Sequence, residues 1–305
     1  MNRSPTSVIL PTVRQTGTVG EVASQLGGDD ELLVVCDSDS DPIAEAVDSF
    51  PEAIRLVVEG EPDGCSGKAN AIAAAMAAAN HDRLVWTDDD FRHPPEWLAD
   101  LQADYERQGP TTEVPYFIGR DPLSRLLEPM YMMGATAGLT LIDKPWGGAV
   151  IFERDDLDEA AFLTDLRQTV SDDGLLGAYL DVTPVKRVRR VEVGGTIRES
   201  LERNTRFMQI VDYFSPYPNV TVPLSALYVA CCLLFPVPAA LLSTAGMAVV
   251  YAYFGVSRWT VLLTYPALIA QFPLLLYGLS RSFVWGGRRY HWPERFEVVV
   301  DGAVE

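Results

Sequence analysis

Short apolar runs alternate with helix-like stretches over the first two thirds of the chain. Four of the runs are mostly apolar and rich in strand-forming residues, and they lie at residues 8–10, 32–35, 54–58 and 84–86. The stretches between them have helical composition, at residues 19–26, 43–47 and 68–79. A further helix is expected to carry Pro94 and Pro95 in its first turn. This alternation predicts an α/β domain with a mostly parallel, doubly wound sheet.

The last third of the chain has a different pattern. Residues 222–254 contain no charged residue, and neither do residues 259–280. Each run is long enough to cross a hydrocarbon core, which takes about 20 apolar residues. Arginines flank the pair of runs, so the charge distribution predicts two spans, with the main domain and both termini in the cytoplasm and Arg258 outside. The stretch Phe235-Pro236-Val237-Pro238 leaves open a kinked helix or a hairpin turn, which would give three spans or a re-entrant segment.

These features divide the chain into three regions. Residues 1–215 form the predicted cytoplasmic α/β domain, residues 216–285 the membrane region with two or three helices, and residues 286–305 a short cytoplasmic tail. The run at residues 8–10 is interrupted by Pro11 and is too short for a signal-peptide core. We therefore expect a multi-pass protein of the cell membrane with its main domain in the cytoplasm.

Composition narrows the environment and the partners. The formal net charge is −18, Asp outnumbers Glu, and only three of the 24 basic residues are lysines, which indicates the high-salt cytoplasm of a halophile. An acidic surface of this kind argues against nucleic acid as a partner. The four cysteines form no CxxC pair and have no nearby histidine, so they support neither a zinc site nor a disulfide framework.

An acidic turn follows the strand-like run at residues 84–86. Asp88, Asp89 and Asp90 would repel one another there unless a cation shared them. Asp88 and Asp90 can bind one Mn²⁺ or Mg²⁺ that keeps open positions for phosphate oxygens. The alternative is a solvated Asp-rich turn, which is common in an acidic chain.

Two further candidates are expected near this turn. Asp37 and Asp39 follow the strand-like run 32–35, and the carboxyl ends of parallel strands share one edge, so their carboxylates could accept hydrogen bonds from a nucleotide base or ribose. Capping of a helix before Pro42 is the alternative for Asp39 and its neighbour Asp41. Lys68 stands at a glycine-preceded helix start, where it could pair with phosphate. Its surroundings are not a Walker loop, because the glycine spacing is wrong and no Ser or Thr follows Lys68.

Several motifs occur in an order known from one group of enzymes. They are Pro11-Thr12, Asp37/Asp39, Asp88-Asp89-Asp90, a segment with Glu128 and Tyr131, Trp146-Gly147-Gly148, Ser171-Asp172-Asp173 and Arg203-Asn204-Thr205-Arg206-Phe207. Together they resemble the nucleotide-diphospho-sugar glycosyltransferases of family 2, and more closely the ceramide-glucosyltransferase-like branch. The chain departs from that pattern at Asp172, where glutamate is usual, and at Phe207, where tryptophan is usual. The resemblance implies a GT-A fold, a UDP- or GDP-sugar donor and, with the composition, a haloarchaeal source.

The reaction assigns roles to these residues. Glycosyl transfer needs a base for the acceptor hydroxyl, away from the metal, and Asp173 is the candidate; its alternative is an acid at a helix N-terminus behind Ser171 as N-cap. The resemblance places Gly147, Gly148 and Asp172 on the acceptor side and gives donor binding to a larger set. That set is Pro11, Thr12, Asp37, Asp39, Lys68, Asp88, Asp90, Arg203, Arg206 and Phe207.

The sequence allows two interpretations of Arg203 and Arg206. They could bind the departing diphosphate, because guanidinium groups bind phosphate bidentately. The alternative is an ordinary cluster of arginines beside the membrane on its cytoplasmic side.

The sequence therefore predicts an inverting, metal-dependent, membrane-anchored enzyme of the hexosyltransferase type. It would move a sugar from the nucleotide donor to a lipid at the cytoplasmic membrane face, and residues 123–142 could form an interfacial helix beside the site or a buried core helix. The alternatives are a polyprenyl-phosphate sugar synthase, a processive polysaccharide synthase, which would need more spans, and a non-catalytic membrane-tethered protein that binds sugar nucleotides.

Overall fold

The computed structural model describes residues 4–214 and 218–303. The strands are β1 Thr6–Pro11, β2 Glu31–Cys36, β3 Ile54–Val58, β4 Arg83–Thr87, β5 Thr111–Gly119, β6 Ala149–Glu153, β7 Thr183–Val193, β8 Ser282–Trp285, β9 Arg288–Glu294 and β10 Glu297–Ala303. The α-helices are α1 Thr18–Ala23, α2 Gly67–Ala78, α3 Trp97–Gln108, α4 Pro122–Tyr131, α5 Leu139–Leu141, α6 Glu159–Leu166, α7 Asp172–Tyr179, α8 Ile197–Phe214, α9 Pro218–Leu234, α10 Pro236–Tyr253 and α11 Thr264–Gly278.

A seven-stranded sheet contains β1 to β7 in the order β3-β2-β1-β4-β6-β5-β7. The strands β3, β2, β1 and β4 run parallel, whereas β6 is antiparallel to β4 and to β5. Val8 of β1 lies opposite Leu32 of β2 on one side and Val85 of β4 on the other. The carboxyl ends of these three strands therefore lie at one edge, where open α/β sheets bind ligands. The predicted α/β domain with a mostly parallel sheet is confirmed.

The burial of the central strands explains why they appear in the sequence as continuous apolar runs. Every residue of β2 and of β4 is buried, as expected for parallel strands that are covered on both faces. Trp86 of β4 is fully buried and meets Phe152 of β6 edge to face, with ring centroids 5.3 Å apart. The alanine-rich α2 packs on β1 and β2, where its small side chains permit a close approach.

Three predicted helices differ in detail. The helix expected at residues 19–26 is shorter and ends at Ala23, and the segment expected at residues 43–47 is a 3₁₀ helix at Ala44–Ser49. Pro94 and Pro95 precede α3 and do not stand in its first turn, because α3 begins at Trp97 with Glu96 at the N-cap. That part of the prediction was wrong.

The segment expected to form one interfacial or core helix contains three pieces. The helix α4 is followed by a π-helix at Met132–Gly138 and by the short α5. Leu127 and Met132 are buried, whereas Met133, Leu141 and Ile142 are exposed. The segment is therefore partly core, and its later part is open to solvent or lipid.

The apolar region contains two helices that are long and apolar enough to cross a membrane, judged by length and composition, at Pro236–Tyr253 and Trp259–Gly278. A shorter apolar helix lies at Pro223–Leu234. The first apolar run is therefore broken at Phe235, whose backbone angles are φ −126° and ψ 63°. A residue that precedes proline avoids the helical conformation, which explains the break before Pro236.

The contacts of Arg258 bear on the predicted two-span topology. Its guanidinium lies 2.8 Å from the carboxylate of Glu128 in α4, and Glu128 also accepts a hydrogen bond of 2.8 Å from the backbone N–H of Gly119 at the end of β5. A side chain in this position cannot lie across a hydrocarbon core about 30 Å thick from the sheet. These contacts disfavour the predicted outside location of Arg258, and the membrane topology stays a prediction.

The described chain divides into two compact units. The first contains Met1–Val114, Asp143–Arg189 and Arg295–Val300, and the second contains Pro115–Ile142, Arg190–Glu294 and Asp301–Glu305. The predicted boundary between residues 215 and 216 lies outside the described residues. The predicted tail from residue 286 onward includes β9 and β10, which join β8 in a three-stranded sheet ordered β10-β9-β8.

Candidate active site

The acidic turn lies at the carboxyl end of β4 in the first unit, and its three carboxylates have different surroundings. Asp89, the middle residue, is turned toward the end of β1: it accepts a hydrogen bond of 2.6 Å from the Thr12 hydroxyl and pairs with Arg14 at 2.7 Å. Asp88 is partly buried and Asp90 is exposed. Asp89 is therefore bound within the protein by Thr12 and Arg14, and Asp88 and Asp90 are the candidates for binding a cation.

Lys68 joins the acidic turn to a second acidic element. Ser66 caps α2 by accepting a hydrogen bond from the backbone N–H of Ala69, which fixes Lys68 in the first turn of that helix. The Lys68 Nζ lies 2.6 Å from Asp88 Oδ1 and 3.1 Å from Asp172 Oδ2. Burial alone would lower the pKa of Lys68, but the charges of Asp172 and Asp88 raise it above its ordinary value, so this lysine is a permanent cation.

The carboxylates around Lys68 outnumber it. Burial, together with the charges of Asp90 and Asp172, raises the pKa of Asp88 to about 7 against the opposing effect of Lys68. Burial and the charge of Asp172 also raise the pKa of Asp173. One lysine does not neutralise this acidic cluster, and an additional cation would stabilise its ionised form.

Asp173 stands in the first turn of α7. Its Oδ1 accepts hydrogen bonds from the Ser171 hydroxyl at 2.7 Å and from the backbone N–H of Gly174 at 2.8 Å. Ser171 is also the N-cap of α7, as the alternative interpretation of Asp173 expected. The cap holds one carboxylate oxygen of Asp173 in place, and a raised pKa suits a general base better than that of an ordinary aspartate.

Gly147 and Gly148 lie next to this cluster at positions where a side chain would clash with its neighbours. A Cβ on Gly147 would stand 2.4 Å from Asp172 Oδ2 and 3.4 Å from Lys68 Nζ, so a side chain there would displace the Lys68–Asp172 pair. A Cβ on Gly148 would stand 2.3 Å from the ring of Trp146, and the Gly148 carbonyl accepts a hydrogen bond from the backbone N–H of Asp88. The two glycines thus allow the strand start to approach the acidic turn closely.

The other candidates of the first unit follow the neighbouring strands. Pro11 is the last residue of β1 and lies opposite Val35 of β2, so Asp37 and Asp39 come just beyond the same edge. Asp41 organises their loop, because its Oδ2 accepts hydrogen bonds from the backbone N–H groups of Asp37 and Ser38. Asp37 is partly buried and Asp39 is exposed. Asp41 therefore has the local structural role, while Asp37 and Asp39 remain candidates for nucleotide binding.

Arg203, Arg206 and Phe207 belong to α8 in the second unit. The Arg203 guanidinium lies 4.6 Å from the ring centroid of Phe117 and 4.8 Å from that of Phe207. Arg206 lies 3.8 Å over the ring of Trp285 in β8. Aromatic faces hold both guanidinium groups by cation–π contacts. Their role in binding the donor stays a prediction.

The sequence interpretation missed two kinds of residue. Arg14 and Trp285 gave no motif signal, because their partners lie far away in the chain. Glu128 was noted only through the resemblance, yet it is fully buried and bonded to Arg258 and Thr260. A glutamate inside an otherwise apolar helical stretch was the available signal for this buried pair.

Comparison with known protein families gives one match that spans most of the chain. Residues 29–292 match the model described as glycosyl transferase family 21. The chain belongs to glycosyl transferase family 21. It is therefore an enzyme, a glycosyltransferase that uses a nucleotide sugar. No curated protein matches the sequence.

Several solved structures are similar in part. Glucosyl-3-phosphoglycerate synthase from Mycobacterium tuberculosis with Mn²⁺, UDP-glucose and phosphoglyceric acid is 18% identical, with a TM-score of 0.41 over 68% of this chain and 77% of that chain. Mannosyl-3-phosphoglycerate synthase from Rubrobacter xylanophilus is 16% identical, with a TM-score of 0.43 over 68% and 72%. The M. tuberculosis enzyme has also been solved with Mg²⁺ and UDP, and that structure is 18% identical, with a TM-score of 0.42 over 68% and 77%.

The family match confirms that the chain is a glycosyltransferase, but in a different family from the one that the motifs resemble. The motifs were likened to family 2, and the match is to family 21. The ceramide-glucosyltransferase-like branch and the haloarchaeal source stay predictions. The non-catalytic sugar-nucleotide binding protein is not supported, because the family consists of transferases.

Proposed function

We propose that this enzyme is a membrane-anchored, inverting glycosyltransferase that transfers a sugar from UDP or GDP to a lipid acceptor at the cytoplasmic membrane face. The observation that carries the proposal is the acidic cluster at the edge of the sheet, where Lys68 lies between Asp88 and Asp172. Such a cluster, at the carboxyl ends of parallel strands, suits a diphosphate held through a cation.

The cation in this proposal is Mn²⁺ or Mg²⁺, held by Asp88 and Asp90. The described residues contain no group of three or more His, Cys, Asp or Glu side chains arranged to hold a metal ion. A pair of carboxylates is nevertheless sufficient, because Mg²⁺ usually keeps several waters and takes its remaining ligands from substrate phosphates. The raised pKa of Asp88 agrees with this, since it shows a carboxylate whose charge is incompletely neutralised. When bound, the metal would neutralise charge on the leaving diphosphate.

The protein's own groups would perform the remaining steps. Asp173 would take the proton of the acceptor hydroxyl through its free carboxylate oxygen, while Ser171 and Gly174 hold the other oxygen. Lys68 would bind a phosphate of the donor, and its pairing with Asp172 would keep it at the site. Binding of the diphosphate by Arg203 and Arg206 stays a prediction of the sequence.

The contacts of the second unit support one arrangement at the membrane. Arg258 is bonded to Glu128, and beyond α11 the backbone N–H of Val284 donates to Glu202 of α8. The chain thus begins and ends each apolar stretch on the side of α8 and α4. We infer that α9 and α10 enter the bilayer as a hairpin that turns at the exposed Phe235, and that α11, which packs on α8 and α4, lies along the interface.

The first test addresses donor, metal and acceptor together. Membranes enriched in the protein are incubated with labelled UDP- and GDP-sugars, and label should enter the lipid extract only with Mn²⁺ or Mg²⁺ present. Asp88→Asn should abolish donor binding, whereas Asp89→Asn makes the same change in the same turn and should keep the metal dependence, because Thr12 and Arg14 bind Asp89. Full transfer in the presence of a chelator would refute the metal role, and label found only in soluble products would refute the lipid acceptor.

A second test addresses topology. In a Cys231→Ser background, Ser257→Cys and Arg288→Cys should both resist an impermeant thiol reagent added to intact cells and both react after lysis. Val237→Cys, near the proposed hairpin turn, is the comparison site and should react least in lysed membranes. Labelling of Ser257→Cys from outside would restore the two-span arrangement.

A further inference from the structure

A cavity in the second unit lies apart from the motifs used above. It has a volume of about 440 Å³ and is lined by Arg120, Arg125 and Arg258 together with Glu192 and Trp259. We call the three arginines and the space between them the arginine pocket. The chain has 42 acidic and only 24 basic residues, so three arginines with one acidic neighbour in a single cavity depart from its general character.

Charges within the arginine pocket are only partly compensated. Glu128 lies behind it, fully buried, and its carboxylate neutralises Arg258. The pair of Arg120 and Glu192 has an N···O distance of 3.7 Å between largely exposed side chains, which is a weak interaction. Arg125 donates through Nε to the carbonyl of Gly119, and no carboxylate in the described residues forms an ion pair with it. The pocket therefore has an excess of positive charge.

The three guanidinium groups are brought together by well-fixed backbone. Arg120 follows β5 directly, and its N–H donates to the carbonyl of Val193 in β7. The start of α4 approaches β5 so closely that a Cβ on Gly119 would stand 2.3 Å from the backbone nitrogen of Arg125. Arg258 is fixed by its ion pair with Glu128. The buried Arg258 Nε has no hydrogen-bond partner in the described structure. Several planar donors thus converge on one space, an arrangement that suits the oxygens of a phosphate.

The position of the arginine pocket indicates where such a phosphate comes from. Arg258 and Trp259 begin the apolar helix Trp259–Gly278, and the side chain of Trp259 is 62% exposed although it is large and aromatic. Leu262, one turn further on, is also exposed. Tryptophan next to arginine at the start of an apolar helix is typical of the headgroup level of a bilayer, and basic pockets beside such helices bind anionic lipid headgroups.

We propose that the arginine pocket binds the phosphate headgroup of an anionic membrane lipid, with Trp259 and the apolar helix against its acyl chains. The proposal rests on the membrane placement given above, but it does not depend on which donor or acceptor the enzyme uses. A bound headgroup would fix the height of the second unit at the membrane surface.

The test measures lipid retention by the full-length protein in a neutral detergent, using native mass spectrometry. Phosphatidylglycerol and phosphatidylcholine with identical acyl chains are titrated in parallel at one salt concentration. The wild type should retain phosphatidylglycerol at about ten-fold lower concentration or better, since each arginine near an anionic surface contributes on the order of 1 kcal/mol. The double variant Arg120→Gln/Arg125→Gln should lose this preference, while Arg258 stays in place to satisfy Glu128.

A matched control makes the same change of charge elsewhere. The double variant Arg107→Gln/Arg198→Gln removes two exposed arginines outside the pocket and should keep the wild-type preference. Equal retention of the two lipids by the wild type, or an unchanged preference in Arg120→Gln/Arg125→Gln, would overturn the proposal. Displacement of phosphatidylglycerol by inorganic phosphate at similar concentration would also overturn it, because the site would then bind a free anion.

Sugar transfer measured on the same preparations separates this inference from the proposed function. A preparation that transfers sugar to lipid but shows no headgroup preference contradicts only the arginine pocket. A preparation that keeps the preference but transfers no sugar to lipid contradicts only the lipid acceptor.

Discussion

Two buried charge clusters, one in each unit, are built in opposite ways. In the first unit Lys68 contacts Asp88 and Asp172 and also feels the charge of Asp173, so one cation faces three carboxylates. In the second unit the single carboxylate of Glu128 accepts hydrogen bonds from a guanidinium, a hydroxyl and a backbone N–H. In the first cluster one lysine must compensate three carboxylates, whereas in the second cluster three hydrogen-bond donors surround one carboxylate.

This difference distinguishes a candidate binding site in the first unit from a structural cluster in the second unit, which we call the clamp. Burial raises the pKa values of Asp88 and Asp173, and neighbouring carboxylates add to this against the opposing charge of Lys68. A substrate or metal can supply further positive charge there. The Glu128 cluster has no such deficit, and its three partners come from β5, from the loop before α11 and from the 3₁₀ turn that starts there. It joins parts of the chain that are more than 100 residues apart.

Asp173→Asn should have the largest effect, because it removes the proposed base from the undercompensated cluster. The transfer rate should fall about 10²- to 10⁴-fold with little change in donor affinity. Single-turnover transfer measured beside calorimetric donor binding tests both parts. Asp172→Asn is the control, since it removes a neighbouring carboxylate that pairs with Lys68, and its effect should be milder. Transfer near the wild-type rate in Asp173→Asn would show that another group is the base.

Arg258→Met should destabilise the second unit by about 3–5 kcal/mol, because it leaves the Glu128 carboxylate buried without its cation. Denaturation in detergent, followed by circular dichroism, measures the change. Thr260→Val removes only one hydroxyl donor and should cost about 1 kcal/mol. The double variant Glu128→Met/Arg258→Met should recover much of the loss. If it is as unstable as Arg258→Met, the damage comes from packing and the clamp interpretation fails.

Local patterns were sufficient for the sheet and for the acidic turn. The runs that became β1, β2 and β4 are buried on both faces, so their apolar character alone identified them, and parallel order then placed Asp37 and Asp88 at one edge. The sequence could not show that Asp89 turns away from its neighbours, because that depends on Thr12 and Arg14, more than 70 residues earlier.

The contact of Arg258 with Glu128 was missed for a related reason. Charge bias near apolar runs placed Arg258 outside, since the rule counts arginines and ignores their partners. The partner, Glu128, lies 130 residues away in a different element. A long-range ion pair of this kind is not visible in a local charge count.

The pH dependence of stability gives a further test of the acidic cluster, because the buried His93 is bonded to Thr87, the residue before the acidic turn. The buried His93 ring is 2.6 Å from the Thr87 hydroxyl, and burial lowers the pKa of His93 to about 3. The unfolded chain binds a proton to this histidine below about pH 6.5, whereas the folded chain does not, so His93 makes stability fall as the pH drops through that window. The raised pKa values of Asp88 and Asp173 have the opposite effect, since their protonation is favoured in the folded state.

In metal-free buffer, His93→Gln should therefore be relatively more stable than the wild type under acid conditions. The difference in free energy of unfolding should grow by about 1.4 kcal/mol per pH unit, reaching about 2 kcal/mol at about pH 5. Thermal melting of both proteins between about pH 7.5 and pH 5 measures it. Parallel pH profiles for the two proteins would mean that His93 is accessible to protons in the folded state.

Ser171→Ala should have the smallest effect on stability and a distinctive effect on rate. Loss of the N-cap of α7 should cost about 1 kcal/mol, as should Asp158→Ala, which removes the N-cap of α6 and serves as the control. Only Ser171 also donates a hydrogen bond to Asp173, and that bond opposes the rise in the pKa of this carboxyl. Ser171→Ala should therefore raise that pKa further and move the acid limb of the pH–rate profile to higher pH, because a base must be unprotonated to act. Asp158→Ala should leave the limb in place. Equal pH–rate profiles for the two variants would show that Ser171 only caps the helix and that the group titrating in the profile is not Asp173.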